Sequence, residues 1–142
     1  MNAADFNDEV DSTRRFSKDF LTEDSEGLNA DEREAIDALP SGHALLVVRR
    51  GYEEGSRFLL DADVTTVGRH PNADILLDDV TVSRRHAEFV RNETTFMVKD
   101  LASLNGTYYQ GHRIDEAILE DGAEIQIGKF KLTFYAAKAD KK

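Results

Sequence analysis

Short apolar or alternating runs, each closed by a turn, recur from residue 43 onward, and no other feature limits the possible fold so strongly. They fall at 45–49, 57–60, 64–67, 75–77, 87–90, 96–99, 107–109, 124–127 and 130–135. Val, Ile, Phe, Tyr and Thr dominate them, and none reaches helical length with a 3.6-residue period. Gly51 and Gly55, Asn105-Gly106 and Asp121-Gly122 punctuate them, as turns between strands require. This spacing predicts an all-β domain over residues 43–137, a two-sheet antiparallel β-sandwich of about ten to eleven strands. Residues 138–142 are expected to be disordered.

Residues 1–42 differ in kind. The chain carries a formal charge of −10, of which −8 falls on residues 1–42 and only −2 on residues 43–142. The first segment is acidic and poor in β-branched residues, so it cannot bury enough surface to offset chain entropy and is expected to be a largely disordered tail. Asn29-Ala30-Asp31-Glu32 reads as an N-cap with Glu at N3 opening a short run to Leu39, either a transient turn or a docked helix. An acidic tail on a near-neutral domain argues against nucleic acid, which needs a clustered basic face. With no cysteine there is no disulfide, thiol nucleophile or thiolate metal site. The longest apolar run, residues 44–48, is too short for a bilayer, and the first residues lack the basic and apolar regions of a signal peptide. A cytoplasmic monomer without cofactor or metal is expected.

Three segments between strands hold polar residues that a sandwich does not need in order to fold: Gly68-Arg69-His70, Ser83-Arg84-Arg85-His86 and Ser103-Leu104-Asn105-Gly106-Thr107. Each alone is commonplace, since Arg-Arg is usually a solvated pair and Asn-Gly usually a hairpin turn. In this order and spacing they resemble the forkhead-associated (FHA) signature: Gly-Arg, then Ser-x-x-His, then Asn-Gly. The stretches at 45–48, 56–61, 77–89 and 124–130 are similar to the actinobacterial GarA/OdhI-type regulators of 2-oxoglutarate metabolism.

That resemblance implies a phosphothreonine-binding sandwich, and the residue types suit the ligand. Phosphothreonine carries about −1.5 to −2 charges and three strong acceptor oxygens. Arg69 and Arg84 supply guanidinium groups, Ser83 a hydroxyl, and Asn105 an amide able to pin the peptide backbone. By resemblance His86 is architectural, while Gly68 and Gly106 allow tight turns. Leu104 stands where the signature often has Thr or Ser, so it offers only its backbone. Arg85 is either a second phosphate contact or a solvated residue.

Catalysis finds little support. Ser83 and His86 lie three apart, with no nucleophile elbow or oxyanion-hole signature beside them. Gly122 to Lys129 resembles a phosphate-binding loop but has five residues between its glycines and Phe130 where Ser or Thr is needed. Asp78-Asp79 lacks an alternating ligand loop for calcium, and His43, His70 and His112 are isolated.

In GarA/OdhI-type proteins the tail bears a Glu-Thr-Thr-Ser-Val-Phe motif phosphorylated by Ser/Thr kinases. The matching segment here is Asp11-Ser12-Thr13-Arg14-Arg15-Phe16, within a phosphoacceptor stretch at 11–17. The resemblance places the acceptors at Ser12 and Thr13. Thr13 is the first choice, because such domains prefer phosphothreonine, and Phe16 lies three residues beyond it. Arg14-Arg15 replaces Ser-Val and creates a second, basophilic acceptor at Ser17. The resemblance further implies a module that binds 2-oxoglutarate dehydrogenase E1, glutamate dehydrogenase and glutamate synthase when unphosphorylated. It would be released from them when its own phosphorylated tail folds back. The alternative is a general adaptor that recruits phosphothreonine proteins in trans.

Overall fold

The computed structural model describes residues 28–51 and 54–141. Two compact units divide the chain, Met1–Ala35 and Ile36–Lys142. The described part of the first is the start of a helix, α1 (Ala30–Asp37). Its opening is the capping box expected at Asn29 and Glu32: the Glu32 N–H donates to Asn29 Oδ1 at 2.8 Å, and the Asn29 N–H to Glu32 Oε1 at 3.4 Å.

The second unit is a two-sheet sandwich. Its strands are β1 (Ala44–Arg50), β2 (Arg57–Leu60), β3 (Val64–Gly68), β4 (Ile75–Leu76), β5 (Ala87–Asn92), β6 (Thr95–Asp100), β7 (Thr107–Tyr109), β8 (His112–Ile114), β9 (Glu116–Ile118), β10 (Glu124–Ile127) and β11 (Phe130–Ala136). One sheet has the order β2-β1-β11-β10-β7-β8, the other β4-β3-β5-β6-β9. Pairing is antiparallel except between β3 and β4, where Val67 lies opposite Ile75 and Gly68 opposite Leu76 in parallel register. A connection of six residues makes that parallel return, because β4 lasts only two residues and needs no crossover helix.

The alternation in the sequence sets which side chains fill the space between the sheets. Leu46 and Val48 of β1, Phe89 of β5, Phe96 and Val98 of β6, Ile125 and Ile127 of β10 and Leu132 and Phe134 of β11 form one buried cluster. Each large side chain so removed from water contributes roughly 1.5–3 kcal/mol. Leu45 and Val47 alternate with that set yet are buried too. This accounts for the unbroken apolar run 44–48 where one polar face would otherwise be expected.

The two ends of the sandwich differ. At one end, Gly42 is clamped where the sandwich begins: its N–H donates to Asp140 Oδ2 at 2.7 Å, and its carbonyl accepts from Arg91 Nη1 at 3.0 Å. Ser41 Oγ donates to Asp140 Oδ1 at 2.6 Å. Asp140 belongs to a 3-10 turn, Lys138–Asp140, formed where the sequence predicts disorder. The turn forms because its carboxylate meets two donors; the Gly42 N–H first, then the Ser41 hydroxyl, hold its carboxyl below the ordinary range. The other end gathers the three polar segments.

Candidate functional site

Gly68 ends β3, and its backbone lies against the segment that precedes β5. A Cβ at this position would overlap the carbonyl oxygen of Arg84 and come within 3.2 Å of that of Ser83. The close approach lets the Arg69 N–H donate to Ser83 O at 3.0 Å and the His70 N–H to Arg84 O at 3.3 Å. Arg69 Nε donates to Val82 O at 3.1 Å. That bond fixes the plane of an exposed guanidinium while leaving its two terminal nitrogens directed elsewhere.

His86 is fully buried. Its Nδ1 accepts from the Ser83 N–H at 3.0 Å, so the proton sits on Nε2, which donates to Gly106 O at 2.9 Å. One imidazole thus joins the Ser83 loop to the Asn105-Gly106 turn. Burial lowers its pKa, opposed by the Gly106 carbonyl and the charge of Asp100. A histidine that the fold keeps neutral contributes its full stability above the unfolded pKa of about 6.5 and loses it as pH falls from there through the lowered folded value. His86→Ala is therefore expected to cost about 3 kcal/mol at pH 7.5, since it strands a buried N–H and C=O. The cost should shrink at pH 5.5, where the wild type has surrendered part of its own advantage. Urea unfolding of both proteins at the two pH values checks this.

Asp100, at the end of β6, organises the third segment. Its Oδ1 accepts from Ser103 Oγ at 2.6 Å and Thr107 Oγ1 at 2.7 Å, and its Oδ2 from the Ser103 N–H at 3.1 Å. Ser103 Oγ in turn accepts from the Gly106 N–H at 2.9 Å. Burial alone would raise the Asp100 carboxyl; the Ser103 and Thr107 bonds and nearby His86 together outweigh it and hold it below the ordinary value. Asp100 lies outside the three polar segments. Its signal was an Asp three residues before a Ser, a side-chain-to-backbone turn pattern.

This wiring presents the tip of the loop. The Leu104 N–H donates to Ser83 Oγ at 2.9 Å, which leaves the Ser83 proton free to be donated outward. Asn105 Nδ2 donates to Thr81 O at 2.9 Å, so its Oδ1 is the end left for a ligand. Arg69, Ser83, the Leu104 backbone and Asn105 are thereby brought to one place by Gly68, His86 and Gly106. Arg84 and Arg85 are both exposed and line a depression of about 280 Å³ floored by Val67, Ala73 and Leu101. His70 caps its own turn, its Nδ1 accepting from the Asn72 N–H at 3.0 Å. Ser12, Thr13, Phe16 and Ser17 lie outside the described residues. Among the described residues no group of His, Asp and Glu is placed to hold a metal ion, and no helix is long and apolar enough to cross a membrane.

A family model for the FHA domain matches residues 65–128, which span all three segments. The oxoglutarate dehydrogenase inhibitor of Corynebacterium efficiens is 53% identical over 131 residues, covering 92% of each chain. The chain belongs to the FHA-domain family. Within it, glycogen accumulation regulator GarA of Mycobacterium tuberculosis is 52% identical over 128 residues, covering 88% of this chain and 79% of GarA. Among solved structures, Mycobacterium tuberculosis EmbR in complex with a low-affinity phosphopeptide is 35% identical with a TM-score of 0.63, over 68% of this chain and 25% of EmbR. An FHA domain solved for its phosphothreonine-dependent interactions is 29% identical with a TM-score of 0.61, over 66% of this chain and 95% of that domain. The sandwich is thus the phosphothreonine-binding FHA fold, in a chain whose relatives carry regulatory names.

Proposed function

We propose that Arg69, Ser83, Arg84, the Leu104 backbone and Asn105 hold a phosphothreonine, and that phosphorylated Thr13 of the same chain is its regulatory ligand. The observation that carries this reading is the bond from Leu104 N–H to Ser83 Oγ. It ties the loop of the Ser83 hydroxyl to the loop that carries Asn105, while the Arg69 N–H holds Ser83 O; hydroxyl and guanidinium donors suit phosphate oxygens, and Asn105 Oδ1 suits a peptide N–H. No catalytic step is assigned. The domain acts by occupancy: with its pocket empty it binds and restrains 2-oxoglutarate dehydrogenase through the E1 component. Glutamate dehydrogenase and glutamate synthase are further partners by resemblance. The relatives named oxoglutarate dehydrogenase inhibitor support the first of these targets. A Ser/Thr kinase acting on Thr13 then turns the module off.

Reach and mass action favour closure. Thr13 is 29 residues from Gly42, and the 17 of them that precede α1 span about 23 Å root-mean-square as a random coil. A phosphate on such a tether meets its pocket at roughly millimolar effective concentration, so a micromolar site is more than about 99% filled. Calorimetric titration of the unphosphorylated full chain should show micromolar binding of a peptide of residues 8–21 phosphorylated on Thr13. The same peptide phosphorylated on Ser12 or Ser17 should bind more weakly. The full chain phosphorylated on Thr13 should give no heat with any of them and should lose its inhibition of 2-oxoglutarate dehydrogenase. If no tail phosphopeptide binds, self-closure fails and the pocket reads phosphothreonine on another protein, as a general adaptor would.

A further inference from the structure

Resting on that reading of the pocket, we propose that Thr81, held between Asp79 and Lys129, is the positioning residue that decides which end of the Asn105 amide meets the phosphopeptide.

Thr81 sits in the connection between β4 and β5, and every polar atom it owns is committed. Its N–H and its Oγ1 both donate to Asp79 Oδ2, at 2.9 and 2.6 Å. The same Oγ1 accepts from the Lys129 N–H at 2.9 Å. Its carbonyl accepts from Asn105 Nδ2 at 2.9 Å. The Lys129 ammonium closes the circuit on Asp79 Oδ1 at 3.1 Å. A threonine hydroxyl has one proton to give, and here it goes to the carboxylate, so the lone pairs must take the Lys129 amide. Neither bond can be exchanged for the other.

The turn between β10 and β11 is built to receive this side chain. Gly128 lies at φ 59°, and a Cβ on it would stand 2.5 Å from Thr81 Oγ1 and 2.8 Å from Val82 Cγ2. The Asp79 carboxyl is held at about 2, by the Thr81 hydroxyl first, then the Thr81 N–H and Lys129, so the acceptor persists across the working pH range. Thr81 is thus gripped from two sides by elements other than the β6–β7 loop that carries Asn105.

The consequence falls on Asn105. A carboxamide turns easily about its last torsion and can present either its oxygen or its NH₂. A backbone carbonyl can only accept, so Thr81 O captures Nδ2 and forces Oδ1 toward the ligand. A peptide main-chain N–H beside the phosphoresidue needs that acceptor. Releasing Thr81 would free the amide to present the wrong end.

The test is a thermodynamic cycle in the unphosphorylated full chain, using the residue 8–21 peptide phosphorylated on Thr13 as probe. Thr81→Val keeps the shape but loses both hydroxyl bonds; it should weaken the peptide about tenfold, close to Asn105→Ala. The double variant should be no weaker than Asn105→Ala within about twofold, because the two residues act as one unit. Thr81→Ser should restore wild-type affinity within about twofold. A second readout needs no ligand: the Asn105 side-chain amide resonances should shift and exchange faster with water in Thr81→Val, and return in Thr81→Ser. Losses that multiply in the double variant, wild-type affinity in Thr81→Val, or unchanged Asn105 amide resonances would each overturn the proposal. Failure of the wild type itself to bind the peptide overturns self-closure instead, and the Asn105 amide resonances then decide the role of Thr81 alone.

Discussion

Arg69→Ala is expected to weaken the Thr13 phosphopeptide by at least about a hundredfold while leaving the fold nearly untouched. Two or more charge-assisted bonds to a phosphate are lost, each worth roughly 1.5–3 kcal/mol. Among the described residues, Arg69 gives its side chain to a single neutral acceptor, Val82 O. Its removal from an exposed position should therefore cost below about 1 kcal/mol of stability. Arg69→Lys keeps the charge but not the fork, so it should recover only part of the affinity, settling about tenfold below wild type. Calorimetric titration paired with thermal unfolding separates the two effects. Binding of the alanine variant within about threefold of wild type would remove Arg69 from the phosphate site.

Gly68→Ala is expected to have the opposite profile, failing in the fold and the pocket together. The added methyl would be driven into the carbonyl oxygen of Arg84, with the carbonyls of both Ser83 and Arg84 in its way. Backbone, unlike the end of a long side chain, cannot swing aside, so the Ser83 loop must move as a piece. That movement would break the bonds from Arg69 N–H to Ser83 O and from Ser83 N–H to His86 Nδ1. About 2–4 kcal/mol of stability should go, with phosphopeptide affinity falling beyond about a hundredfold. Gly111→Ala is the control. It has positive φ but nothing within 4 Å of its Cβ position, so the expected cost is about 1 kcal/mol of backbone strain with binding unchanged.

The contrast between these residues and their partners shows where sequence reading stops. Nine of the eleven strands were visible as runs, because a sandwich core forces alternation on any strand long enough to display it. β8 and β9 were not, since His112–Ile114 and Glu116–Ile118 are three-residue edge pieces largely exposed to water. Too short to alternate and too exposed to need apolar side chains, they carry no period to detect. The parallel turn of β4 against β3 was invisible for a related reason: two residues state no direction. The residues proposed for the pocket are ones that chemistry and motif order single out. They do not single out the supporting wiring. Asp100, Thr81 and Lys129 never touch a ligand in this reading, and their roles exist only through carbonyls and amides that distant segments bring beside them.

The clamp on Gly42 sets the course that the proposed self-closure must run. β5 runs from Ala87, adjoining the pocket, to Asn92, while a Cβ on Gly42 would lie 3.8 Å from the carbonyl of Glu93 just beyond. Six strand residues, about 20 Å, therefore separate the tail's root from its destination. The connecting chain has a contour of about 95 Å, reduced by about 14 Å because the eight residues of α1 rise 1.5 Å each instead of about 3.3 Å. That contour is several times the course, so the proposed closure needs no hinge or lever at the root. Evolution could splice residues into this connection, or remove a dozen, and the lock would still turn. Its only stringent dimension is the keyhole at the far end.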